Sequence, residues 1–342
     1  MSFKYIQRMP SSDEIIAEIP VETRIQRIKS ERDKEIANVI RGESERFIVI
    51  IGPCSAHHDD AVFDYVSRLA KVQDKVRDKL VLIPRIYTNK PRTTGEGYKG
   101  MAHQPDPMQE PDLVKGVKML RYMHIKTIQE SGLTAADEML YPENYAYLAD
   151  LLSYVAVGAR SVENQQHRLT VSGLDIPAGM KNPTSGDISV MLNAIKAAQF
   201  SHVFTYNSWE TKTDGNPLTH AVLRGFTDKW GQHIPNYHYE DIIRVTESYH
   251  SSGLTNPAII VDTNHSNSGK QFDQQPRIAK EIMGNRKFSD LLQQTIKGLM
   301  IESFIEEGTQ AIDKGVYGKS ITDPCLGWAE SERLILDLAE FV

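Results

Sequence analysis

The chain has 342 residues, with 39 Lys and Arg against 45 Asp and Glu and a net charge of −6, an acid excess that argues against nucleic acid as the main partner. A 40% hydrophobic and 25% charged composition describes a globular chain with a sizeable core, and no run approaches the ~20 apolar residues of a membrane span. Two cysteines, Cys54 and Cys325, cannot build a disulfide framework, and no charged head with an apolar run marks a signal peptide, so a reducing, cytoplasmic setting is expected.

Residues 1–46 read as an N-terminal extension. After an irregular start, VETRIQRIKSERDKEIANVIRGES has the pattern of one helix of mixed charge. Its plain reading is a solvated outer helix; extensions of this kind also contact a neighbouring subunit.

From residue 47 onward, short apolar or β-branched runs alternate with segments of helical period. The runs are 47–54 (FIVIIGPC), 80–87, 134–140, 154–160, 174–181, 202–206 (HVFTY), 258–265 and 298–304. Between them, segments such as DAVFDYVSRLAKVQDKV, PDLVKGVKMLRYMHIKTIQES, PENYAYLADLL and YEDIIRVTESYHSS place apolar residues three and four apart. Eight βα units predict a (β/α)₈ TIM barrel over 47–342. An open doubly wound sheet has the same composition and period, which do not separate the two.

In such barrels the chemistry lies at the C-terminal ends of the strands. The residues closing the predicted runs are Cys54, Arg85, Glu138, Arg160, Lys181, Asp262 with His265, and Glu302, with Asp323 in the loop after the last run. Singly, each has a bland explanation: a buried thiol, a satisfied histidine, a surface arginine. Gathered at one mouth, so many unpaired charges are costly without ligands. Cys54, His265, Glu302 and Asp323 offer a thiolate, an imidazole and two carboxylates, which suit Mn²⁺, Fe²⁺, Co²⁺ or Zn²⁺ better than Mg²⁺ or Ca²⁺. Arg85, Arg160 and Lys181, with Lys90, Arg92 and Arg224, are cations fit for substrates bearing several negative charges.

The stretches IGPCS (51–55), PRIYTNKPRTT (84–94), GARSVENQQHR (158–168), GLDIPAGMKN (173–182), VLRG (222–225), VDTNHSNSGK (261–270), MIES (300–303) and SITDPCLGW (320–328) resemble, in order and spacing, the type I short-chain 3-deoxy-D-arabino-heptulosonate 7-phosphate (DAHP) synthases. That resemblance implies an enzyme joining phosphoenolpyruvate to D-erythrose 4-phosphate at the head of the shikimate pathway. It implies one divalent ion per subunit on Cys54, His265, Glu302 and Asp323, with Mn²⁺ first among Mn²⁺, Co²⁺, Fe²⁺ and Zn²⁺. Arg85 and Lys90 would hold the phosphoenolpyruvate carboxylate, and Arg160, Lys181 and Arg224 its phosphate, with the amides of Gly158 and Ala159. Pro91, Arg92, Thr93 and Asp323 would meet erythrose 4-phosphate. Lys90 would protonate the new alkoxide and Glu138 would steer the attacking water, while Cys54 and His265 serve catalysis as metal ligands. A homodimer or homotetramer is expected by the same resemblance.

The sequence departs from that pattern in the longer GEGYKGMAHQPDP loop and in Pro183, where the family has glycine. The stretch YNSWETKTDGNPLTH is short for the family's regulatory hairpin, and Asp175 stands where serine is common, so feedback by aromatic amino acids is expected to be weak or absent. Two other readings compete: 3-deoxy-D-manno-octulosonate 8-phosphate synthase, which takes arabinose 5-phosphate, and a non-catalytic barrel acting as a binding partner.

Overall fold

The computed structural model describes residues 2–342; Met1, the first residue of the 1–46 extension, lies outside them. Eight parallel strands form the central sheet: β1 Phe47–Gly52, β2 Leu80–Pro84, β3 Ala136–Glu138, β4 Tyr154–Val157, β5 Ala178–Lys181, β6 Thr219–Leu223, β7 Ile259–Asp262 and β8 Ile296–Glu302. Their spatial order is β2-β1-β8-β7-β6-β5-β4-β3. A parallel bridge from Arg85 to Ala136 joins the two ends, with the Ile86 amide donating to the Ala136 carbonyl at 2.9 Å. The expected barrel is therefore present, and the open sheet is excluded.

The strands are apolar on both faces because both are covered. Along β1, Ile48 and Ile50 face the barrel interior with Val81, Ile83, Ala156, Val222, Ile260 and Met300, while Phe47, Val49 and Ile51 pack toward the outer helices. Those helices include α3 Asp59–Val76, α4 Leu113–Ser131, α6 Ile188–Gln199, α7 Tyr239–Ser251, α8 Gln275–Phe288 and α10 Trp328–Ala339. The expected segments became helices with one exception: PENYAYLADLL makes only a 3₁₀ turn, Pro142–Tyr147. The short helices α1 Ser12–Glu18, α5 Gln165–Val171 and α9 Asp290–Thr295 carry too few turns to give a period. α1 is fixed locally, because Ser11 and Glu14 exchange side-chain bonds to each other's amides in a capping box.

One strand was misplaced by sequence. HVFTY is an outer ribbon, Val203–Tyr206 paired antiparallel with Trp209–Lys212, and the sixth barrel strand is THAVL. In that segment Thr219 and His220 interrupt an otherwise apolar run. Inside the barrel His220 is satisfied, its Nε2 2.8 Å from the Tyr154 hydroxyl and its Nδ1 2.9 Å from the Leu218 carbonyl. Burial holds its imidazole down at about 4, so it stays neutral.

The long helix of the extension, α2 Thr23–Arg41, is not merely a solvated outer helix. Its charges hide a stripe of Ile36, Ala37, Val39 and Ile40, buried against Ile48, Val81, Tyr154, Leu218 and Ala258 near the starts of the strands. It closes the barrel floor, and it stops at Gly42, whose φ of +78° suits glycine.

Candidate active site

At the opposite end, the strands deliver their last residues to a cavity of about 380 Å³. Of the residues singled out in the sequence, Arg85, Lys90, Pro91, Arg92, Thr93, Glu138, Gly158, Ala159, Arg160, Lys181, Arg224, His265, Glu302 and Asp323 all line it. Arg224 directly follows β6 and so supplies the strand end that the misplaced run had left without one. Cys54 and Asp262 lie just beneath the surface, both buried.

Cys54 follows β1 by two residues. Its Sγ is 3.3 Å from Asp323 Oδ2, and Lys90 Nζ lies 2.7 Å from both atoms. Glu302, closing β8, accepts from Arg85 Nη2 at 2.6 Å and from Asn264 Nδ2 at 2.7 Å. Ligand atoms of Cys54, Glu302 and Asp323 all lie within 4.8 Å of one another. His265 stands beside this group rather than within it, its Nε2 3.9 Å from Glu302 Oε1 and its Nδ1 2.9 Å from Asp262 Oδ2. The His265 backbone is left-handed, at φ +50°, a conformation that non-glycine residues adopt mostly where surroundings enforce it. A thiol, two carboxylates and a neighbouring imidazole, converging from distant points of the chain, fit a divalent ion of intermediate softness.

The electrostatics follow from burial opposed by partners. Burial, then the Glu302 charge, push the Cys54 thiol up to about 12 against the pull of Lys90. Burial would also raise the Asp323 and Asp262 carboxyls, but Lys90 holds Asp323 below the usual range, and His265 with Lys181 does the same for Asp262.

The cations are only partly answered. Arg85 spends Nη2 on Glu302 and Nε on the Pro53 carbonyl at 3.2 Å, and its guanidinium sits 3.9 Å from the centre of the Tyr87 ring. Its buried Nη1 has no partner among the described residues. Lys181 Nζ reaches Asp262 Oδ2 at 3.3 Å. For Arg224, burial works against the charged form, with Asp262 the leading opposing influence, and no carboxylate oxygen among the described residues lies within ion-pair distance. Groups of this kind suit an anion entering the cavity.

Gly158 explains itself sterically. A Cβ there would stand 2.4 Å from Glu138 Oε1, so a larger residue at that position would push the β3 carboxylate aside from the β4 turn. Sequence reasoning missed Asn264, whose amide fixes Glu302, and also Thr184, Thr227, His233, Ser266 and Lys270, which line the cavity. The polar run TNHSNSGK directly after β7 was a usable signal for Asn264, Ser266 and Lys270. Nothing marked Thr227 or His233 before β6 was placed.

A family profile described as the DAHP synthetase I family matches residues 19–335. The chain is 39% identical over 336 residues to the Trp-sensitive phospho-2-dehydro-3-deoxyheptonate aldolase of Enterobacter agglomerans, covering 96% of this chain and 93% of that one. It is 37% identical over 322 residues to the Phe-sensitive enzyme of Escherichia coli K12, covering 90% and 87%. The solved phospho-2-dehydro-3-deoxyheptonate aldolase of Francisella tularensis SCHU S4 superposes with a TM-score of 0.92 at 32% identity, over 100% of this chain and 98% of that chain. These likenesses leave the octulosonate synthase and the non-catalytic barrel without support. With fold, strand-end residues and relatives in agreement, the chain belongs to the DAHP synthetase I family.

Proposed function

We propose that this chain condenses phosphoenolpyruvate, D-erythrose 4-phosphate and water into DAHP and inorganic phosphate, the first step of the shikimate pathway, by the following division of labour. The observation that carries the reading is the convergence of Arg85, Lys90, Arg160, Lys181 and Arg224 with the Cys54, Glu302 and Asp323 donors in one cavity.

Arg85, through its free Nη1, and Lys90 take the carboxylate of phosphoenolpyruvate. Arg160, Lys181 and Arg224 take its phosphate with the amides of Gly158 and Ala159, and Pro91, Arg92, Thr93 and Asp323 position the aldose phosphate. Fixing two polyanions face to face removes much of the entropic barrier. Cys54, His265, Glu302 and Asp323 would hold one divalent ion, Mn²⁺ first among Mn²⁺, Co²⁺, Fe²⁺ and Zn²⁺, which when bound supplies a Lewis acid to polarise the aldehyde. The methylene carbon of phosphoenolpyruvate then adds to the aldehyde carbon, and Lys90 gives its proton to the new alkoxide. Glu138 orients the water that adds to the resulting cationic carbon and receives its proton. The hemiketal phosphate so formed releases inorganic phosphate.

Two finer readings belong to the same proposal. Inhibition by aromatic amino acids is weak or absent: the 203–212 ribbon is short, and Asp175 lines the cavity of about 260 Å³ beneath it with Lys212 and Asp214. Saturable inhibition by phenylalanine, tyrosine or tryptophan at sub-millimolar concentration would overturn this. The assembly is a homodimer or homotetramer, a reading supported by the exposure of Phe3, Tyr5, Ile6 and Trp209, and sedimentation tests it.

The decisive experiment measures turnover of phosphoenolpyruvate and erythrose 4-phosphate before chelation, after it, and after Mn²⁺ is restored. DAHP and phosphate should form in equal amounts, cease on chelation and return. Full activity in the chelated protein, or preference for arabinose 5-phosphate, would refute the reading.

A further inference from the structure

Between β6 and α7 the chain builds a second ribbon, Phe226–Thr227 against His233–Ile234, directly after Arg224. Its base is tightly set. A Cβ on Gly225 would meet the Asn267 nitrogen at 2.7 Å and the Ile234 carbonyl at 2.8 Å, and one on Gly186 would stand 2.4 Å from the Phe226 ring. The Thr227 amide donates to the Thr184 carbonyl at 3.0 Å. At the tip, Asp228 Oδ1 accepts from the amides of Trp230 at 2.9 Å and Gln232 at 2.8 Å. The ribbon is thus a fixed feature of the mouth, and Thr227 and His233 line the cavity with Arg224, Ser266 and Lys270.

The ring of His233 is oriented by hydroxyls. Its Nδ1 lies 3.2 Å from Ser266 Oγ and 3.5 Å from Thr227 Oγ1. Either hydroxyl can donate to Nδ1, which leaves the ring proton on Nε2. Nε2 itself has no hydrogen-bond partner among the described residues.

We propose that His233 is a phosphate-binding residue of this site, its Nε2–H donating to the phosphate of phosphoenolpyruvate beside Arg224 while Ser266 and Thr227 hold the ring. This rests on the reading of phosphoenolpyruvate as substrate. The charged groups that act on the ring are Lys270 and Arg224, both cations, so nothing in the protein favours an imidazolium there. Burial first, then Lys270 and Arg224, hold the imidazole below its ordinary range in the free protein. An arriving phosphate reverses that field, draws a proton onto the ring and converts a neutral donor into a charge-assisted one. The sign follows: affinity for phosphoenolpyruvate is highest below the free-state pKa of His233 and falls as pH rises through the raised bound-state value.

The test uses the full-length, metal-loaded protein with His233→Ala and His233→Gln, each checked for an unchanged melting temperature. The KM for phosphoenolpyruvate should rise about tenfold in the alanine variant, with kcat and the KM for erythrose 4-phosphate little changed. Calorimetric titration with phosphoenolpyruvate from pH 5.5 to 8.5 should give the same loss, and the pH-dependent part of wild-type affinity due to the ring should vanish in the glutamine variant. Unchanged phosphoenolpyruvate affinity in the folded variants, or a rise confined to the erythrose 4-phosphate KM, would overturn the assignment. If the alanine variant does not fold, the glutamine variant decides through its pH profile. A wild type that binds phosphoenolpyruvate yet forms no DAHP would defeat the reaction assigned above, while the calorimetric comparison would still decide the role of His233.

Discussion

The two ends of the barrel are built from the same strands and solve opposite problems. At the floor, Ile36, Ala37, Val39 and Ile40 of α2 lie on Ile48, Val81, Tyr154 and Leu218, and Arg32 Nη2 of the same helix donates to the Leu82 carbonyl at 2.6 Å. At the mouth, Arg85 Nη1 is buried without a partner and His265 is held left-handed beside a group of acids. The contrast teaches where each end gets its order. The floor is held by apolar packing, so its residues are expected to act on stability; the mouth gathers cations and acids around a cavity, so its residues are expected to act on binding and chemistry.

Substitutions can test that separation. The largest effect is expected from Cys54→Ala, which should lower bound metal and turnover by more than about a hundredfold while leaving unfolding in urea nearly unchanged. Wild-type turnover in that variant would remove Cys54 from the metal site. Ile40→Ala, at the floor, should cost about 2–5 kcal/mol in urea unfolding with both KM values preserved; a raised KM would mean that the ends are coupled. Gly158→Ala should press a methyl group onto Glu138, lowering kcat about tenfold with a stability change below about 1 kcal/mol. The last test concerns pH. Because His220 is held neutral to about 4 while the unfolded histidine titrates near 6.5, the unfolded state binds more protons between these values. Stability should therefore be fully present above about pH 6.5 and decline as pH falls toward 4, by up to about 1.4 kcal/mol per pH unit. His220→Gln should flatten that slope, and an unaltered slope would assign the acid sensitivity to other groups.

The mouth was more legible in sequence than the floor, for physical reasons. Strand ends such as Arg85, Lys181 and Glu302 are reactive residues terminating apolar runs, so one-dimensional pattern and three-dimensional location coincide. The floor helix hid its apolar stripe among charges because only one of its faces is covered. β6 was missed because Thr219 and His220 are polar in isolation, and the histidine becomes acceptable only once Tyr154 is known to be opposite. His233 was invisible for a related reason, since its significance depends on where β6 ends. The three-residue grouping of Cys54, Glu302 and Asp323 required the fold, because no short spacing links positions so far apart in the chain.

The seam between β2 and β3 has one further consequence. There the barrel is closed by the Arg85–Ala136 bridge and by the Asp137 carboxylate, which accepts from the Thr88 amide at 2.9 Å in place of a longer backbone ladder. The residue at the seam is also the one that offers a free nitrogen to an arriving carboxylate. A ligand gripped by Arg85 therefore stitches the least-buttoned edge of the cylinder, and amide hydrogen exchange at Ile86 and Thr88 should slow when the cavity is filled, giving a direct reading of occupancy from the backbone itself.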